Sequence, residues 1–219
     1  MSLLDRFAPR ATTPERPQTP AARAGEGVFA SKVLKKFLSA LTARDTPVLL
    51  DLGPVVGQNV SFFGEELGCR IQIGDVFADL DRHTRENTLD LLPAFLEKRF
   101  PEEDASVDGV LCWDLLDYMD RASAQALANQ LMRILRPGGA LFGLFGTTPV
   151  AGSPSQFVKY IVVDSENLEH RPYPSACARR TVLQNRDIIR LFPDLKVTES
   201  FLLKNKISEV LFRKPAGVP

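Results

Sequence analysis

A short acidic, glycine-bearing segment gives the first indication of chemistry in this sequence. The segment is DLGPVVG at residues 51–57, and it follows the apolar run at residues 48–50. Glycines in a turn after a strand let the backbone approach a ligand closely, and the helix that follows points free N–H groups at that ligand. The segment therefore predicts a crevice for a nucleotide-like molecule at the carboxyl end of the first strand.

The spacing of the glycines separates the classes of ligand. The dinucleotide pattern GxGxxG needs glycines at positions 53, 55 and 58, but Val55 and Gln58 occupy two of these positions. A second pattern, an acid followed by glycines at alternate positions, needs an acid at 51 and glycines at 53, 55 and 57. Asp51, Gly53 and Gly57 satisfy it, and only Val55 departs from it. No GK[ST] ending follows, which excludes a Walker loop.

Asp75 is the second polar position that could bind a nucleotide. It lies at the end of the second predicted strand, 24 positions after Asp51. A carboxylate at this distance can accept hydrogen bonds from ribose hydroxyls. An ordinary role as a turn cap is the alternative, and Asp79 and Asp81 are nearby alternatives for the ligand contact.

Trp113 and Asp114 end the apolar strand at residues 107–113. The indole of Trp113 could pack on an adenine face, and Asp114 could orient a substrate or an amino group of a cofactor. The structural alternatives are core packing for Trp113 and a helix cap for Asp114. Both interpretations stay open at the level of the sequence.

Composition and charge exclude several classes of protein. The 219 residues are 44% hydrophobic and 25% charged with no net charge, which is typical of a globular domain. Fifteen acidic and five basic residues between positions 65 and 120 argue against a nucleic acid partner. No apolar run approaches the roughly 20 residues that span a membrane, and no secretory signal is recognisable, so we expect a cytoplasmic protein. Three isolated cysteines and two histidines predict no metal site.

The elements that must position these residues alternate as in a parallel sheet covered on both faces. They are predicted as a helix over 28–41, a strand over 48–52, a helix over 58–67, a strand over 70–76, a helix over 84–99 containing Pro93, a strand over 107–113, a helix over 122–135 and a strand over 140–145. The later elements are a hairpin over 157–163 and 168–173, a helix over 185–191, and a closing antiparallel hairpin over 196–203 and 208–212. Residues 1–27 are predicted to form a disordered, proline-rich arm before a single domain over 28–219.

Together these segments resemble the class I S-adenosylmethionine-dependent methyltransferases, of the type 11-like kind. The segments VLLDLGPVVG, SVDGVLCWDLLDYM and ILRPGGALFGLFG are similar to the first, fourth and fifth strand regions of that family, in order and spacing. The resemblance covers residues 28–147. It implies an α/β fold with a Rossmann-like, mostly parallel sheet, helices on both faces and an antiparallel closing hairpin, and it implies S-adenosylmethionine as cofactor.

The resemblance also assigns roles to individual residues. The cofactor-binding set that it implies is Asp51, Gly53 and Gly57 at the methionine part, Asp75 at the ribose, and Trp113 and Asp114 at the adenine and the substrate mouth. The candidates for a catalytic residue are Asp114, Tyr118 and His170. The hairpin at 157–173, with Tyr160, Tyr173 and Arg171, lies where the family commonly places a substrate lid, although it could equally be a dimer surface.

Two departures from the family pattern bear on activity. Val55 replaces a glycine beside Pro54, where a Cβ could crowd the cofactor, and no third strand is recognisable before residue 107. The family often takes an adenine contact from that region, for which Asp90 and Asp104 are the substitutes. We expect methyl transfer to an unidentified acceptor, a small molecule. The alternatives are a binding or regulatory module that has lost catalysis, and another nucleotide-binding enzyme such as a dehydrogenase. A homodimer stays open.

Overall fold

The computed structural model describes residues 27–147, 155–180 and 182–216. The predicted arm at residues 1–27 therefore lies outside the described residues, except for Gly27. None of the helices in the described ranges is long and apolar enough to cross a membrane.

The described residues form short strands and helices that alternate through the first two thirds of the chain. The strands are β1 (Val28–Ala30), β2 (Val48–Asp51), β3 (Arg70–Ile73), β4 (Val107–Trp113), β5 (Leu135–Gly146), β6 (Gln156–Val162), β7 (Asn167–Pro174), β8 (Lys196–Leu202) and β9 (Ile207–Arg213). The helices are α1 (Leu34–Leu41), α2 (Gly57–Val60), α3 (Val76–Arg85), α4 (Leu92–Leu96), α5 (Arg121–Ile134) and α6 (Asn185–Leu191), and α2 continues as a π-helix over Ser61–Glu66.

The main sheet has six strands in the order β3-β2-β4-β5-β9-β8. Strands β3, β2, β4 and β5 are mutually parallel, whereas β9 and β8 are antiparallel to their neighbours and close the sheet. Every residue of β2 and of β4 is buried. Such burial on both faces explains why these strands read as continuous apolar runs rather than as alternating ones. The predicted fold class is confirmed.

The core divides into one cluster on each face of the main sheet. Helices α3, α4, α5 and α6 contribute to the first cluster. Helix α1, the π-helical segment and both strands of the predicted lid contribute to the second. The lid hairpin is therefore part of the core rather than an appendage, since Tyr160, Val162 and Leu168 are buried in it.

The predicted hairpin at 157–173 is present as β6 and β7, and it forms a separate three-stranded sheet with β1. The helix predicted over 28–41 is wrong at its start, because Val28 to Ala30 pair antiparallel with Asn167 to Glu169 of β7. Helix α1 begins only at Leu34, whose N–H donates to Ser31 Oγ at 3.0 Å. A strand partner more than 130 residues away along the chain cannot be read from local periodicity.

The region between β3 and β4 also differs from the prediction. The strand predicted over 70–76 ends at Ile73, and the helix predicted over 84–99 is replaced by α3, a 3₁₀ turn over Leu89–Leu91 and α4. Asn87 has a positive φ of 55°, which ends the helical path, and Pro93 is at the start of α4. No strand lies in the fully described stretch from 84 to 106, so β3 is the edge of the main sheet.

The other predicted elements are confirmed within a few residues, including the helices at 58–67, 122–135 and 185–191 and the strands of the closing hairpin. Strand β5 is longer than predicted, because it begins at Leu135 and includes the Pro-Gly-Gly turn. Gly138 has a φ of 77° there, a left-handed conformation that favours glycine.

Candidate functional site

The carboxyl ends of the parallel strands bring the predicted site residues to one edge of the main sheet. Asp51 ends β2, Trp113 ends β4, and Asp114 follows Trp113 directly. Asp75 lies two residues after the end of β3, which pairs with β2. Ligands of open α/β sheets bind in a crevice at this edge, and the structure therefore places the acids where such a crevice is expected.

Asp51 is buried and is held by its own chain. Its Oδ1 accepts hydrogen bonds from the indole N–H of Trp113 at 2.6 Å and from the N–H of Gly53 at 2.8 Å. Burial raises the pKa of Asp51 to about 6, although both hydrogen bonds act in the opposite direction. A Cβ on Gly53 would lie 2.8 Å from Trp113 Nε1, so only glycine allows the indole to come this close.

Trp113 has a positive φ of 51°, which is rare for so large a residue and costs on the order of 1–3 kcal/mol. The strain is offset by contacts on three sides of the indole. In addition to the bond with Asp51, the indole stacks on Tyr160, with ring centroids 5.4 Å apart and planes 9° apart. It also meets Phe142 edge-on at 6.0 Å. One face of the predicted adenine-packing residue is therefore covered by the hairpin.

Asn59 of α2 fastens the hairpin over this part of the crevice. Its Nδ2 donates to the carbonyl of Tyr160 at 2.9 Å, and its Oδ1 accepts from the N–H of Val162 at 2.8 Å. Asn59 is buried, so both ends of its side-chain amide are used on β6. Strand β6 is thus fixed to the helix that follows the glycine turn.

Two buried carboxylates and one guanidinium form a cluster beside Tyr160. Arg179 donates through Nη2 to Asp114 Oδ2 at 2.5 Å, and its Nε is 3.5 Å from Asp117 Oδ2. The N–H of Gly146 donates to Asp117 Oδ2 at 2.7 Å, and the hydroxyl of Tyr118 donates to Asp114 Oδ2 at 3.4 Å. Within the described parts of the chain, the Oδ1 atom of each carboxylate is buried without a hydrogen-bond partner.

Burial dominates the ionisation of this cluster. It raises the pKa of Asp117 to about 8 and raises that of Asp114, whereas the nearby Arg179 lowers both. Burial and the Asp114 charge also raise the pKa of Tyr118 well above its usual range. Tyr118 therefore stays a neutral phenol near neutral pH and is not suited to act as a base.

A separate cavity of about 210 Å³ lies beside Asp75. One wall of the cavity comes from the residues that follow β2 and β3, which are Pro54, Asp75, Phe77, Ala78 and Asp81. The other wall comes from the hairpin of β6 and β7, with Phe157, Lys159, Tyr173 and Pro174. Lys159 Nζ is 5.0 Å from the centroid of the Tyr173 ring. The cavity thus combines aromatic rings, two carboxylates and one ammonium group.

Asp75 has a φ of 40° and caps α3, because its Oδ1 accepts from the N–H of Ala78 at 3.2 Å. The turn-cap interpretation of Asp75 is therefore confirmed, and it is compatible with a ligand contact because the same residue also lines the cavity. Burial raises the pKa of Asp75 from its ordinary value.

The remaining predicted residues lie in different surroundings. A Cβ on Gly57 would meet nothing within 4 Å, and the Val55 side chain is 62% exposed. His170 lies in β7, and its ring centroid is 6.0 Å from that of Phe29. The backbone N–H of His170 donates to the carbonyl of Gly27. Asp104 pairs with Arg133 before the start of β4, at the opposite edge of the sheet.

Residues 50–143 match the family described as "Methyltransferase domain", and the match spans β2 to most of β5. The chain has the class I methyltransferase fold, and residues 50–143 are similar to that family. A comparison with curated protein sequences gives no match.

Solved structures with the same fold resemble this chain at low sequence identity. The PH0226 protein from Pyrococcus horikoshii OT3 is 15% identical with a TM-score of 0.51, and the match covers 83% of this chain and 87% of that one. The [4+2]-cyclase SpnF is 12% identical with a TM-score of 0.51, over 84% and 80%. The Burkholderia thailandensis 1,6-didemethyltoxoflavin-N1-methyltransferase, solved with S-adenosylhomocysteine, is 15% identical with a TM-score of 0.48, over 84% and 79%. The first two likenesses show the fold alone.

Several residues of the candidate site were missed from the sequence. Asp117 carried a readable signal, because its spacing of three from Asp114 places both carboxylates on one side of a helical turn. Asn59, Lys159 and Arg179 carried none, since each reaches the site through contacts between distant parts of the chain.

Proposed function

We propose that the methyltransferase domain binds S-adenosylmethionine at the carboxyl edge of the main sheet and transfers its methyl group to a small-molecule acceptor. The cavity beside Asp75 carries this proposal, because it combines a strand-end carboxylate with aromatic walls next to the glycine turn. The match of residues 50–143 to a methyltransferase domain supports it.

The nucleoside half of the cofactor fits the residues that are present. The side chains of Phe77, Phe157 and Tyr173 offer apolar surface for a base, and Asp75 offers acceptor oxygens for ribose hydroxyls. Lys159 lies on the same wall and can meet a polar edge of the nucleoside. The cavity is smaller than the 300–1,000 Å³ typical of ligand sites, so it suits part of the cofactor rather than all of it.

The residues at the methionine half of the crevice have the charge that the cofactor needs, but side chains of the protein fill this half in the structure. Asp51 is a buried acid beside Gly53, and its carboxylate oxygens can accept hydrogen bonds from the cationic amino group of an amino acid. Trp113 occupies one oxygen of Asp51, and Tyr160 covers Trp113. Binding of the whole cofactor therefore requires that β6 withdraw from the crevice.

When bound, S-adenosylmethionine supplies an electrophilic methyl group on a sulfonium. The residues of the methyltransferase domain then act by holding the reactants in line, an effect worth up to roughly 7–11 kcal/mol. Asp75 and Asp51 fix the two ends of the cofactor, and the hairpin excludes water from the space between them. No catalytic base is required for an amine or thiol acceptor.

The surroundings of the crevice favour a small acceptor. Strands β6 and β7 close over the edge of the main sheet, and an enclosed crevice admits small molecules more readily than a polymer. The acids Asp51, Asp75, Asp114 and Asp117 all lie at this edge, and their charges oppose a phosphate backbone.

One observation favours a second function, a binding module without catalysis. The hydrogen bond from Trp113 occupies the carboxylate that the methionine half needs, and β6 is fixed in place by Asn59. A protein that stays closed in this way can still bind a nucleoside beside Asp75. A structural neighbour described as a [4+2]-cyclase is consistent with the principle that this fold does not determine the reaction.

Calorimetric titration with S-adenosylmethionine and S-adenosylhomocysteine tests the proposal, followed by transfer of labelled methyl into cell extract. We expect both ligands to bind and label to appear in small-molecule products. Binding without transfer would favour the binding module. The absence of heat with either ligand would refute a cofactor site.

A further inference from the structure

The cluster beside Tyr160 has two acids for one cation. Asp114 and Asp117 are at most 1% exposed, and Arg179 is the cation that faces both. One oxygen of each carboxylate, Oδ1, is buried without a partner among the described residues. A buried carboxylate is costly unless it is paired and fully hydrogen-bonded, and such groups in a crevice are candidates for ligand binding.

The acids and the cation belong to different parts of the fold. Asp114 and Asp117 are in the turn that follows β4, and the N–H of Gly146 at the end of β5 holds Asp117 in place. Arg179 comes from the segment after the hairpin, five residues beyond Pro174, and its side chain is 20% exposed. The acids are fixed by the main sheet, and the N–H of Arg180 donates to the carbonyl of Asp117 at 2.9 Å, so the segment that carries Arg179 is fastened to the same turn.

The cluster adjoins the closed methionine half of the crevice. Asp114 follows Trp113 in the chain, Trp113 donates to Asp51, and Tyr160 stacks on Trp113. The charge of Asp114 also contributes to the raised pKa of Tyr160, as expected for neighbouring groups. If the side chain of Arg179 swings out of the cluster, it leaves two carboxylates that need a new cation.

We propose that Asp114 and Asp117 bind the protonated amine of the methyl acceptor, and that Arg179 occupies this position while the acceptor is absent. This inference rests on the proposed function, and it adds the chemical class of the substrate. An aliphatic amine fits because it enters as a cation and becomes a nucleophile after losing a proton. An alcohol leaves the carboxylates uncompensated, and an anion is repelled by them.

The proton and electron balance of the step is complete with these groups. Asp117, with a pKa of about 8 in the buried cluster, is ionised above that pH and can then accept one proton from the ammonium group. The amine nitrogen then forms a bond to the methyl carbon while the carbon–sulfur bond breaks, and the electron pair of that bond stays on sulfur. The proton on Asp117 passes to solvent when the crevice opens.

Titration of the full chain above pH 8, where Asp117 is ionised, tests the proposal. The protein is saturated with S-adenosylhomocysteine and titrated with butylammonium, 1-butanol and butyrate. The three probes share a chain length and differ in charge. We expect butylammonium to bind about tenfold more tightly than the other two, or better. Asp117→Asn should remove most of this preference, and its amide oxygen can still accept from Gly146. Arg179→Lys should strengthen butylammonium binding several-fold. Lysine keeps the positive charge but cannot contact both carboxylates through a fork of two nitrogens, so the probe displaces it more easily.

Asp104→Asn is the matched control, since it removes a carboxylate from an Asp–Arg pair at the opposite edge of the sheet. It should leave the binding of all three probes unchanged. Equal binding of the three probes by the wild-type protein, or an unchanged preference in Asp117→Asn, would overturn the proposal. A wild-type protein that binds S-adenosylhomocysteine but shows no cation preference refutes this inference alone. Absence of S-adenosylhomocysteine binding refutes the proposed function and this inference with it.

Discussion

The two halves of the crevice differ although one hairpin covers both. Beside Asp75 the hairpin and the sheet stand apart and leave a cavity of about 210 Å³. Beside Asp51 they are in contact, because Tyr160 stacks on Trp113 and Asn59 holds β6 against α2. In the proposed function, the nucleoside half is thus preformed, whereas the methionine half is filled by side chains of the protein.

This difference assigns a gating role to the hairpin. A nucleoside can enter the cavity while β6 stays in place, but the intact cofactor has to displace Tyr160 and free Asp51. The N–H of Arg180 donates to the carbonyl of Asp117, so the segment that carries Arg179 is fastened to the turn of the two acids and not only to the hairpin. Cofactor entry and exposure of the carboxylate pair are therefore separate steps, and the second needs the Arg179 side chain to swing away from Asp114.

The largest expected effect is a loss of stability when the side chain of Asn59, which holds β6 over the closed half, is removed. Asn59→Ala leaves the carbonyl of Tyr160 and the N–H of Val162 buried without partners, which should lower the free energy of unfolding by about 2–4 kcal/mol. Urea unfolding measures this. Asn129→Ala is the control, because the exposed Asn129 bonds only Gln125 through its side chain and should cost less than about 0.5 kcal/mol. Equal losses in the two variants would show that Asn59 does not fasten the hairpin.

The closed half should also make stability depend on pH. Burial raises the pKa of Asp117 from 3.8 to about 8, so between these values the folded protein keeps a proton that the unfolded chain has lost. Stability should therefore fall as pH rises through this window, by up to about 1.4 kcal/mol per pH unit. Asp51, with a pKa of about 6, adds a dependence of the same sign at the lower end.

Unfolding of the wild-type protein and of Asp117→Asn between about pH 5 and pH 7 isolates the first contribution. The variant should show a shallower decline because its amide does not titrate. Two parallel curves would mean that Asp117 is ionised in the folded protein and that its cluster carries no electrostatic cost.

The open half should respond through affinity rather than stability. Asp75→Asn keeps a residue that caps helices and tolerates a positive φ, but it removes the charge that accepts from ribose hydroxyls. We expect S-adenosylhomocysteine to bind about 10- to 100-fold more weakly by calorimetry, with little change in stability. Asp104→Asn should bind as the wild-type protein does. Unchanged affinity in Asp75→Asn would remove Asp75 from the site.

The smallest effect is expected at the altered glycine position. Val55 is 62% exposed, so Val55→Gly should leave the affinity for S-adenosylhomocysteine within about twofold of the wild-type value. The variant should be slightly less stable because glycine is more flexible in the unfolded chain. A loss of affinity of tenfold or more would show that the valine side chain contacts the ligand after all.

The sequence predicted the parts of the fold that local pattern determines. The apolar strands at 48–52 and 107–113 and the helix at 185–191 are correct because burial leaves continuous or periodic apolar positions. Strand β1 was mistaken for the start of a helix, since its partner β7 is distant in the chain. The region at 76–99 was also wrong, because the capping role of Asp75 and the turn at Asn87 are visible only in the backbone.

The position of the candidate site could be predicted from the sequence, but the contacts within it could not. Residues at the carboxyl ends of the strands, such as Asp51, Asp75 and Trp113, followed from the topology of a parallel sheet. The hydrogen bond between Trp113 and Asp51 could not be predicted in this way, because it depends on a left-handed backbone conformation at Trp113. Arg179 reaches Asp114 across 65 residues, and no local pattern indicates that contact.

Trp113 is the one tryptophan of the sequence, and its fluorescence therefore reports the closed half directly. Titration with adenosine and then with S-adenosylhomocysteine tests the central claim. Adenosine should bind beside Asp75 and leave the emission of Trp113 unchanged. S-adenosylhomocysteine should shift that emission as Tyr160 leaves the indole and Asp51 becomes free. Binding of S-adenosylhomocysteine without a change at Trp113, or no binding of either ligand, would contradict the account.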